Sequence, residues 1–454
     1  MGSKNKQNID IDQTSLNLFS VAGKTLELSY TGEKISSDGG LLLLKEVENQ
    51  IDIIKDLSTC IDDGRDQRYV DHSMESLVSQ RVYQIAAGYE DANDCNFLRD
   101  DAIIKLCSDK LPETGPCLSS QPTMSRFENS PRRSELYRIA KMFVLKFISS
   151  YESEPPVIIL DPDDTAHTAY GDQLQIEFNH YYNDYVFMPL HIYEGLSGKL
   201  ISTILKPGRR SKSVKVFAIL KRIIELLREH WKNTIIVVRG DSHFHCPELT
   251  SYSKKDDRII LITGLSGNVR LKELSATTVQ SAEKKFKKTN GPVKMYHSFA
   301  YRAESWEEEE RVIVKVEVNQ MGTNVRYIAT NSWEYRTRQM YEIGYCARGA
   351  AELRIKDHKV YLKSDRSSCH RFQANQLRLF LHSAAYVLLH SLQKEVLRGT
   401  EFANATLQTI QLRILKTAAR VKELKTKVKI EFPRTCPVRD VQTTAFTIFE
   451  VLRC

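Results

Sequence analysis

Two short apolar runs in this 454-residue chain lead into aspartates, and this pattern limits the folds that the chain can adopt. The run Val157–Leu160 leads into Asp163. The run Thr234–Val238 leads into Asp241. Both runs have the length and the β-branched content of buried strands. Carboxylates so far apart in sequence act together only in a fold that brings the ends of these strands to one place.

A second pattern lies nearer the carboxyl end. Tyr345, Arg348, Glu352 and Lys359 follow one another at intervals of three, four and seven residues. At 3.6 residues per turn, a continuous α-helix places all four side chains on one face. A surface ion pair between Arg348 and Glu352 would be the simpler interpretation, but it leaves Tyr345 and Lys359 unexplained. Two strand-end aspartates and a helical glutamate indicate a two-metal phosphoryl-transfer site.

These residues give the chain a resemblance to the DDE transposases of bacterial insertion sequences, in the group with a Tyr-x2-Arg-x3-Glu-x6-Lys signature. The signature is complete here, and the resemblance extends over residues 15–450. Five further blocks look like blocks of that group: Ser36–Gly40, Leu160–Thr165, Arg239–His243, Asp365–Cys369 and Arg371–Gln376.

The resemblance implies an α/β fold with a ribonuclease-H-like catalytic core, in which helices flank a mixed sheet. We predict a helical N-terminal domain over 1–152 that binds DNA ends. The DDE core would cover 153–370, with a β-rich insertion near 265–335. A basic helical region over 371–454 would contact DNA or a second subunit.

The resemblance also assigns roles to six residues. The catalytic acids and metal ligands would be Asp163, Asp241 and Glu352. The DNA contacts would be Tyr345, Arg348 and Lys359. The cofactors would be two Mg²⁺ or Mn²⁺ ions per active site, since carboxylate oxygens suit hard divalent cations.

Periodicity predicts the elements around these residues. Helices are predicted at Met74–Gly88, Ser134–Tyr151, Ser213–Trp231, Asn375–Lys394 and Thr406–Lys425. Beyond the two aspartate runs, strands are predicted at Tyr185–Tyr193, Lys199–Leu205, Arg258–Thr263, Arg311–Val318 and Val325–Thr330. The segment Ser119–Glu128 has a helix-start signal, which suits either a helix-turn-helix or a plain helical domain.

Several assignments stay open on the sequence alone. Asp161 alternates onto the same strand face as Asp163, so it could be a second ligand or the partner of a nearby cation. The Asp-x-Thr pattern of the resembling group selects Asp163, with Thr165 two residues on. His243 and His245 could be a metal pair, but their spacing fits no zinc motif, and a core or supporting role is favoured.

Composition narrows the class of protein. The net charge is +8, and lysine and arginine clearly outnumber acidic residues after Arg371. A basic tail suits phosphate binding, and it also describes a solvated helical face. The segment Leu407–Lys429 carries seven of these cations beside apolar residues that suggest a buried side. No long apolar run, signal peptide or Cys-x-x-Cys pair is present, so we expect a cytoplasmic protein without a membrane span. The resemblance implies that it is bacterial and associated with the nucleoid.

The expected function is cut-and-paste DNA transposition. The protein would bind terminal inverted repeats, cut both ends and join the freed 3′-hydroxyls to target DNA. The resemblance implies a homodimer in the synaptic complex, because two ends must be held together. Two alternatives are a host-acting nuclease on the same fold and a domesticated, non-transposing DNA-binding protein.

Overall fold

A computed structural model describes residues 16–30, 32–208 and 216–453 of the chain. The first strands are β1 (Leu16–Val21), β2 (Lys24–Leu28) and β3 (Ile35–Ser36). The next elements are helices α1 (Leu41–Ile51), α2 (Ile53–Thr59), α3 (Met74–Ala86), α4 (Asp94–Leu98), α5 (Ala102–Cys107), α6 (Gln121–Asn129) and α7 (Arg133–Ser149). Helices α3 and α7 confirm the two long helices predicted in this region, and α6 begins inside the predicted start signal.

A mixed sheet with flanking helices follows. Its elements, together with three short strands, are β4 (Val157–Asp164), β5 (His167–Thr168), β6 (Glu177–Asn179), β7 (Asp184–Phe187), β8 (Leu190–Glu194), β9 (Leu200–Ile204), α8 (Val216–His230), β10 (Ile235–Gly240), α9 (Pro247–Ser253) and β11 (Ile259–Leu265). Five strands lie in the order β9-β8-β4-β10-β11. The first three pair antiparallel, and β4, β10 and β11 run parallel.

Two elements predicted in this region differ in their bounds from the elements described in the structure. The single strand predicted at Tyr185–Tyr193 is wrong, because the chain divides there into β7 and β8. Strand β7 joins a small sheet with β5 and β6, whereas β8 joins the central sheet. Pro189 lies at the break and has no N–H to donate to a ladder. The helix predicted from Ser213 is described from Val216 onward, and Ser213 lies outside the described residues.

The predicted β-rich insertion widens the central sheet. It contains α10 (Val269–Thr289), β12 (Val293–Tyr301), β13 (Glu310–Asn319) and β14 (Gly322–Thr330). Strand β14 pairs antiparallel with β11, so the sheet has eight strands. Both predicted strands are confirmed, but β12 and α10 were not predicted. Helix α10 shows no clear hydrophobic period, because three of its four buried residues are small or polar. The four buried residues are Leu271, Ser275, Thr278 and Ala282.

After the signature segment, a buried helix joins the two ends of the chain. The last elements are α11 (Thr337–Gln339), α12 (Gly349–Lys356), α13 (Phe372–Ser391), α14 (Leu407–Ile410), β15 (Ala419–Leu424), β16 (Lys427–Glu431) and α15 (Arg439–Arg453). Helix α13 confirms the prediction at Asn375–Lys394 and packs against α3, α6, α7 and β9. One hydrophobic core therefore includes residues from both the N-terminal helices and the C-terminal region.

The helix predicted over Thr406–Lys425 is wrong beyond its first turns. Residues from Ala419 form the antiparallel hairpin β15–β16, in which Leu424 lies opposite Lys427. Buried Val421 alternates with exposed neighbours, which is the period of a half-buried strand and not of a helix. The predicted buried side is nevertheless present, since Leu407, Ile410 and Ile414 are also buried. The C-terminal region is therefore mixed, and not wholly helical as predicted.

A buried charged cluster supports the contact between the two ends of the chain. Arg81 of α3 donates to Glu128 of α6 at 2.8 Å, and Arg378 of α13 reaches the same carboxylate at 3.4 Å. All three side chains are almost fully buried. Removing one member would leave uncompensated charge in the core, so the cluster fixes how these helices pack.

The block Ser36–Gly40 connects the N-terminal part of the fold to the C-terminal region. Strand β3 pairs with β15, and the N–H of Gly40 donates to the carbonyl of Leu415. A Cβ at Gly40 would lie 2.0 Å from the carbonyl oxygen of Ile414, so only glycine allows this approach. Asp38 is fully buried and forms an ion pair with Lys416 at 2.8 Å. The motif thus holds the first and last parts of the fold together.

The block Arg371–Gln376 covers an edge of the central sheet. Strand β9 is the last strand on its side, and Gln376 accepts from the N–H of Leu205 at 2.6 Å just after it. The same amide donates to the carbonyl of Thr203 at 3.3 Å. These bonds satisfy backbone groups that an open edge would leave exposed.

In the part of the chain that is described, no helix is both long and apolar enough to cross a membrane.

Candidate active site

The two aspartates meet at one edge of the central sheet. Strands β4 and β10 are parallel neighbours, with Leu160 opposite Val238. Asp163 lies near the end of β4, and Asp241 follows β10 directly. Extending the same register places Asp241 beside Asp163. Parallel strands end on the same side, so the sheet brings the two carboxylates together.

Glu352 reaches this edge from α12, but the signature segment is not the single α-helix that the spacing predicted. Wide π turns at Met340–Tyr345 and a tight turn at Cys346–Arg348 precede α12, and further π turns follow it. The carbonyl of Gly344 accepts from the buried guanidinium of Arg239 at 2.8 Å. A side chain that takes a carbonyl from the helical ladder is a known cause of such irregularity.

One cavity of about 900 Å³ is lined by four of the six residues that the sequence predicted for the site. Asp163, Asp241, Glu352 and Arg348 all line it. Tyr345 and Lys359 lie beside the cavity and do not line it. The three acids thus line a single cavity.

Arg348 lies between the acids. Its guanidinium is 3.2 Å from a carboxylate oxygen of Asp163 and 3.4 Å from one of Glu352. Burial raises the pKa of Asp163 to about 6, although the charge of Arg348 opposes the rise and that of Asp241 adds to it. The cation of Arg348 therefore balances carboxylates that would otherwise repel one another.

The donor set suits a hard divalent ion in chemistry, because all three groups offer carboxylate oxygens. Their arrangement is not yet a metal cage. Among residues 16–30, 32–208 and 216–453, no three His, Cys, Asp or Glu side chains stand close enough together to hold a metal ion. Glu352 is largely exposed and turns toward Arg348. Metal binding would therefore require the carboxylates to exchange Arg348 for the ion.

Asp161 forms the ion pair that the sequence left as an alternative. Arg239 donates to both of its carboxylate oxygens, at 2.7 and 2.5 Å, and each side chain is at most 2% exposed. Burial raises the pKa of Asp161, while the hydrogen bond and charge of Arg239 oppose that rise. Both oxygens are occupied by the bidentate partner, and Asp161 does not line the cavity that contains Asp163.

Tyr345 and Lys359 both contact the strand ends. The phenol oxygen of Tyr345 lies 2.8 Å from where a Cβ of Gly264 would be, so glycine in β11 permits this contact. Lys359 donates to the carbonyl of Ala166 at 2.5 Å and lies 3.4 Å from the hydroxyl of Thr165. These contacts hold the signature segment against β4 and β11.

His243 and His245 do not form a metal pair. The Nδ1 of His243 lies 2.8 Å from a carboxylate oxygen of Asp241. His245 turns into the core, where its Nδ1 is 2.8 Å from the hydroxyl of Thr263 and its ring packs on Trp306. Burial lowers the pKa of His245 to about 4. The favoured core role of His245 is confirmed.

The cavity also contains residues that the sequence reasoning missed. Lys206, which follows β9, pairs with Asp164 at 2.7 Å. An aromatic group from the β6–β7 hairpin forms part of the wall, namely Phe178, His180, Tyr181 and Tyr182. The sequence contains a dense aromatic run between two strands in this region. Only the tertiary structure shows that this run lines the same cavity as the acids.

Buried histidines lie beneath the acids. His191 of β8 is paired in register with Asp163, and His167 and His358 lie near its ring. Burial lowers the pKa of His191 to about 3, and the charge of Lys359 adds to this effect. Burial also lowers the pKa of His167 and His358 well below the usual range. All three are therefore neutral in the folded protein.

We expect this cluster to make the fold sensitive to acid. Each histidine titrates near pH 6.5 when unfolded but stays neutral in the fold, so the unfolded state binds more protons below that pH. For His191, stability should fall between about pH 6.5 and pH 3 by roughly 1.4 kcal/mol per pH unit, and His167 and His358 should add to this fall. Urea unfolding at pH 7.5 and 5.5 measures the slope. His191→Phe should reduce it, whereas replacing the exposed His297 should not. Equal slopes for wild type and His191→Phe would contradict the expectation.

The chain is similar to known transposases over most of its length. The family described as Transposase DDE domain group 1 matches residues 19–454. The chain therefore belongs to this family of DDE transposases, whose members generally use divalent metal ions in phosphodiester chemistry. No curated protein matches the chain. A cryo-EM structure of the piggyBac transposase synaptic complex with hairpin DNA is similar over 85% of this chain and 82% of that chain, with 10% identity and a TM-score of 0.45.

Proposed function

We propose that this chain is an insertion-sequence transposase of the YREK-signature group, built on a ribonuclease-H-like core. It binds the terminal inverted repeats of its element, cuts both ends and joins the 3′-hydroxyls to target DNA. The observation that carries the proposal is the convergence of Asp163, Asp241, Glu352 and Arg348 on one cavity at the sheet edge. Membership of the DDE family supports the reaction class.

Asp163, Asp241 and Glu352 are the proposed ligands for two Mg²⁺ or Mn²⁺ ions. When bound, such ions supply an activated oxygen nucleophile and stabilise the leaving oxygen. Arg348 balances the acids in the present structure. When DNA enters the cavity, its guanidinium would make forked hydrogen bonds to a phosphate instead, which would free the acids for the ions. The same arginine would thus link DNA positioning to metal loading.

Other parts of the chain are proposed to hold the DNA. The β15–β16 hairpin presents exposed Lys422, Lys425 and Lys427 near its turn, a suitable geometry for backbone phosphates. The N-terminal helices are proposed to contact the DNA ends, and Tyr345 and Lys359 to approach the backbone beside the cavity. A homodimer would hold two ends together.

The test starts with the DNA on either side of the gene. Inverted repeats there would supply substrate duplexes, which purified protein should cut with Mg²⁺ at the repeat boundary. Cleavage without preference for these ends would favour a host-acting nuclease. End binding without cleavage under any divalent metal would favour a domesticated DNA-binding protein. Either result would overturn the proposal.

We expect Arg348→Ala and Glu352→Gln to separate DNA binding from DNA cleavage. Arg348→Ala removes one phosphate contact, so metal-free end binding should weaken and its salt slope should fall by about one unit. Glu352→Gln removes an anion from the same cavity, so binding should persist while Mg²⁺-dependent cleavage is lost. Salt titrations beside a cleavage assay measure both effects.

Lys356→Ala is the matched control, because Lys356 is exposed on the same helix and does not line the cavity. Its salt slope should match that of the wild type. Efficient cleavage by Glu352→Gln, or an unchanged salt slope in Arg348→Ala, would contradict the proposed roles.

A further inference from the structure

The tip of the β6–β7 hairpin carries aromatic side chains that pack poorly within the fold. Tyr181 is 87% exposed and Tyr182 is 44% exposed. The two rings contact each other edge to face, with centroids 4.9 Å apart. Both line the cavity that contains Asp163 and Arg348. Large rings left this open beside reactive carboxylates indicate a binding surface.

The side chain of Asn179 holds the hairpin tip in place. The side-chain oxygen of Asn179 accepts from the N–H groups of Tyr181 and Tyr182, at 3.0 and 3.4 Å. Its amide nitrogen donates to the carbonyl of Gly208 at 2.9 Å. A Cβ at Gly208 would lie 2.3 Å from the carbonyl oxygen of Val186, so the hairpin sits directly on this backbone. The rings are therefore presented from a fixed turn.

Three kinds of chemical group line the cavity. Asp163 and Asp241 offer oxygen ligands, Arg348 offers a phosphate contact, and the tyrosines offer flat apolar faces. A nucleotide presents the matching groups, namely a phosphate and a base. A base within a duplex is already stacked on both sides, so only an unpaired base can use an aromatic side chain as a stacking partner.

We propose that Tyr181 and Tyr182 form a stacking platform for an unpaired nucleobase next to the phosphate bound in the cavity. This inference rests on the proposed function and adds a nucleobase subsite to the same site. Stacking of this kind accepts any base, because every base has a π-face. The platform therefore holds a strand end or an opened base pair, and the acids act on its backbone.

The experiment measures the preference for unpaired nucleotides without any cleavage. The probes are a blunt 20-base-pair duplex and the same duplex with a four-nucleotide oligothymidine tail, both labelled with fluorescein and titrated in EDTA. The full-length wild type should bind the tailed probe more tightly. Tyr181→Ala and Tyr182→Ala should each reduce that preference by roughly 5- to 150-fold per stacked base. Tyr181→Phe and Tyr182→Phe keep the rings and should retain the preference.

Two controls separate stacking from general binding. Tyr170 is 80% exposed but does not line the cavity, so Tyr170→Ala should keep the full preference. Arg348→Ala should weaken binding of both probes by the same factor, since both carry phosphates. A 2-aminopurine placed in the tail should lose fluorescence on the wild type and less on the two alanine variants.

The inference is overturned if the wild type does not prefer the tailed probe. It is also overturned if Tyr170→Ala loses the preference as strongly, or if the phenylalanine variants behave like the alanine variants. Its failure is distinct from failure of the proposed function. Specific end cleavage without a tail preference removes the platform alone, and a tail preference without end cleavage removes the transposase proposal alone.

Discussion

Asp163→Asn is expected to abolish Mg²⁺-dependent cleavage of the element ends, by at least about 10³-fold, while the protein stays folded. The variant removes one negative ligand from the proposed metal site, and metal ions supply several kcal/mol of transition-state stabilisation in such reactions. The pKa of Asp163 is raised to about 6 chiefly by burial, so losing its charge should not destabilise the fold at neutral pH. Single-turnover cleavage and a urea unfolding curve measure the two effects.

The matched control is Asp164→Asn. Asp164 is the next residue along β4 and pairs with Lys206, so it is not a proposed ligand. Its loss should change cleavage by no more than about tenfold, roughly 1.4 kcal/mol. Robust cleavage by Asp163→Asn, or an equal loss in Asp164→Asn, would show that the first acid has been misassigned.

Asp161→Asn is expected to act on stability first. It leaves Arg239 with an uncompensated charge in the core, where both partners are at most 2% exposed. Breaking a buried pair from one side costs roughly 3–5 kcal/mol. Chemical unfolding should therefore shift strongly to lower denaturant. Any loss of cleavage should follow the loss of folded protein.

A double variant tests the same pair without leaving a charge behind. Asp161→Leu with Arg239→Met replaces both partners by apolar groups and should recover much of the stability lost in Asp161→Asn. If instead Asp161→Asn unfolds like the wild type but cannot cleave, Asp161 belongs to the metal site, and the assignment of Asp163 alone is wrong.

The comparison of Asp161 with Asp163 shows where sequence reasoning reached its limit. Alternation along β4 puts both aspartates on one face, and the sequence offers no further distinction from geometry. Arg239 lies on the neighbouring strand and takes both oxygens of Asp161. Which acid faces the cavity is therefore decided by a strand pairing that joins distant parts of the chain.

The C-terminal region shows the same limit in secondary structure. The cations and apolar residues over Thr406–Lys425 allow a helical period, yet the chain forms a hairpin that pairs with β3. A strand there gains hydrogen bonds from a partner near the start of the chain. Local spacing contains no information about that partner.

The sequence by itself determined the strands that lead to Asp163 and Asp241 and the helix that carries Glu352. Those features depend on local periodicity and on residue types, which are readable along the chain. The tertiary structure alone decided that Arg348 lies between the acids, that Asp161 is paired, and that Tyr181 faces the cavity. Each of these depends on contacts between residues far apart in sequence, which form only when the sheet and its flanking segments have packed.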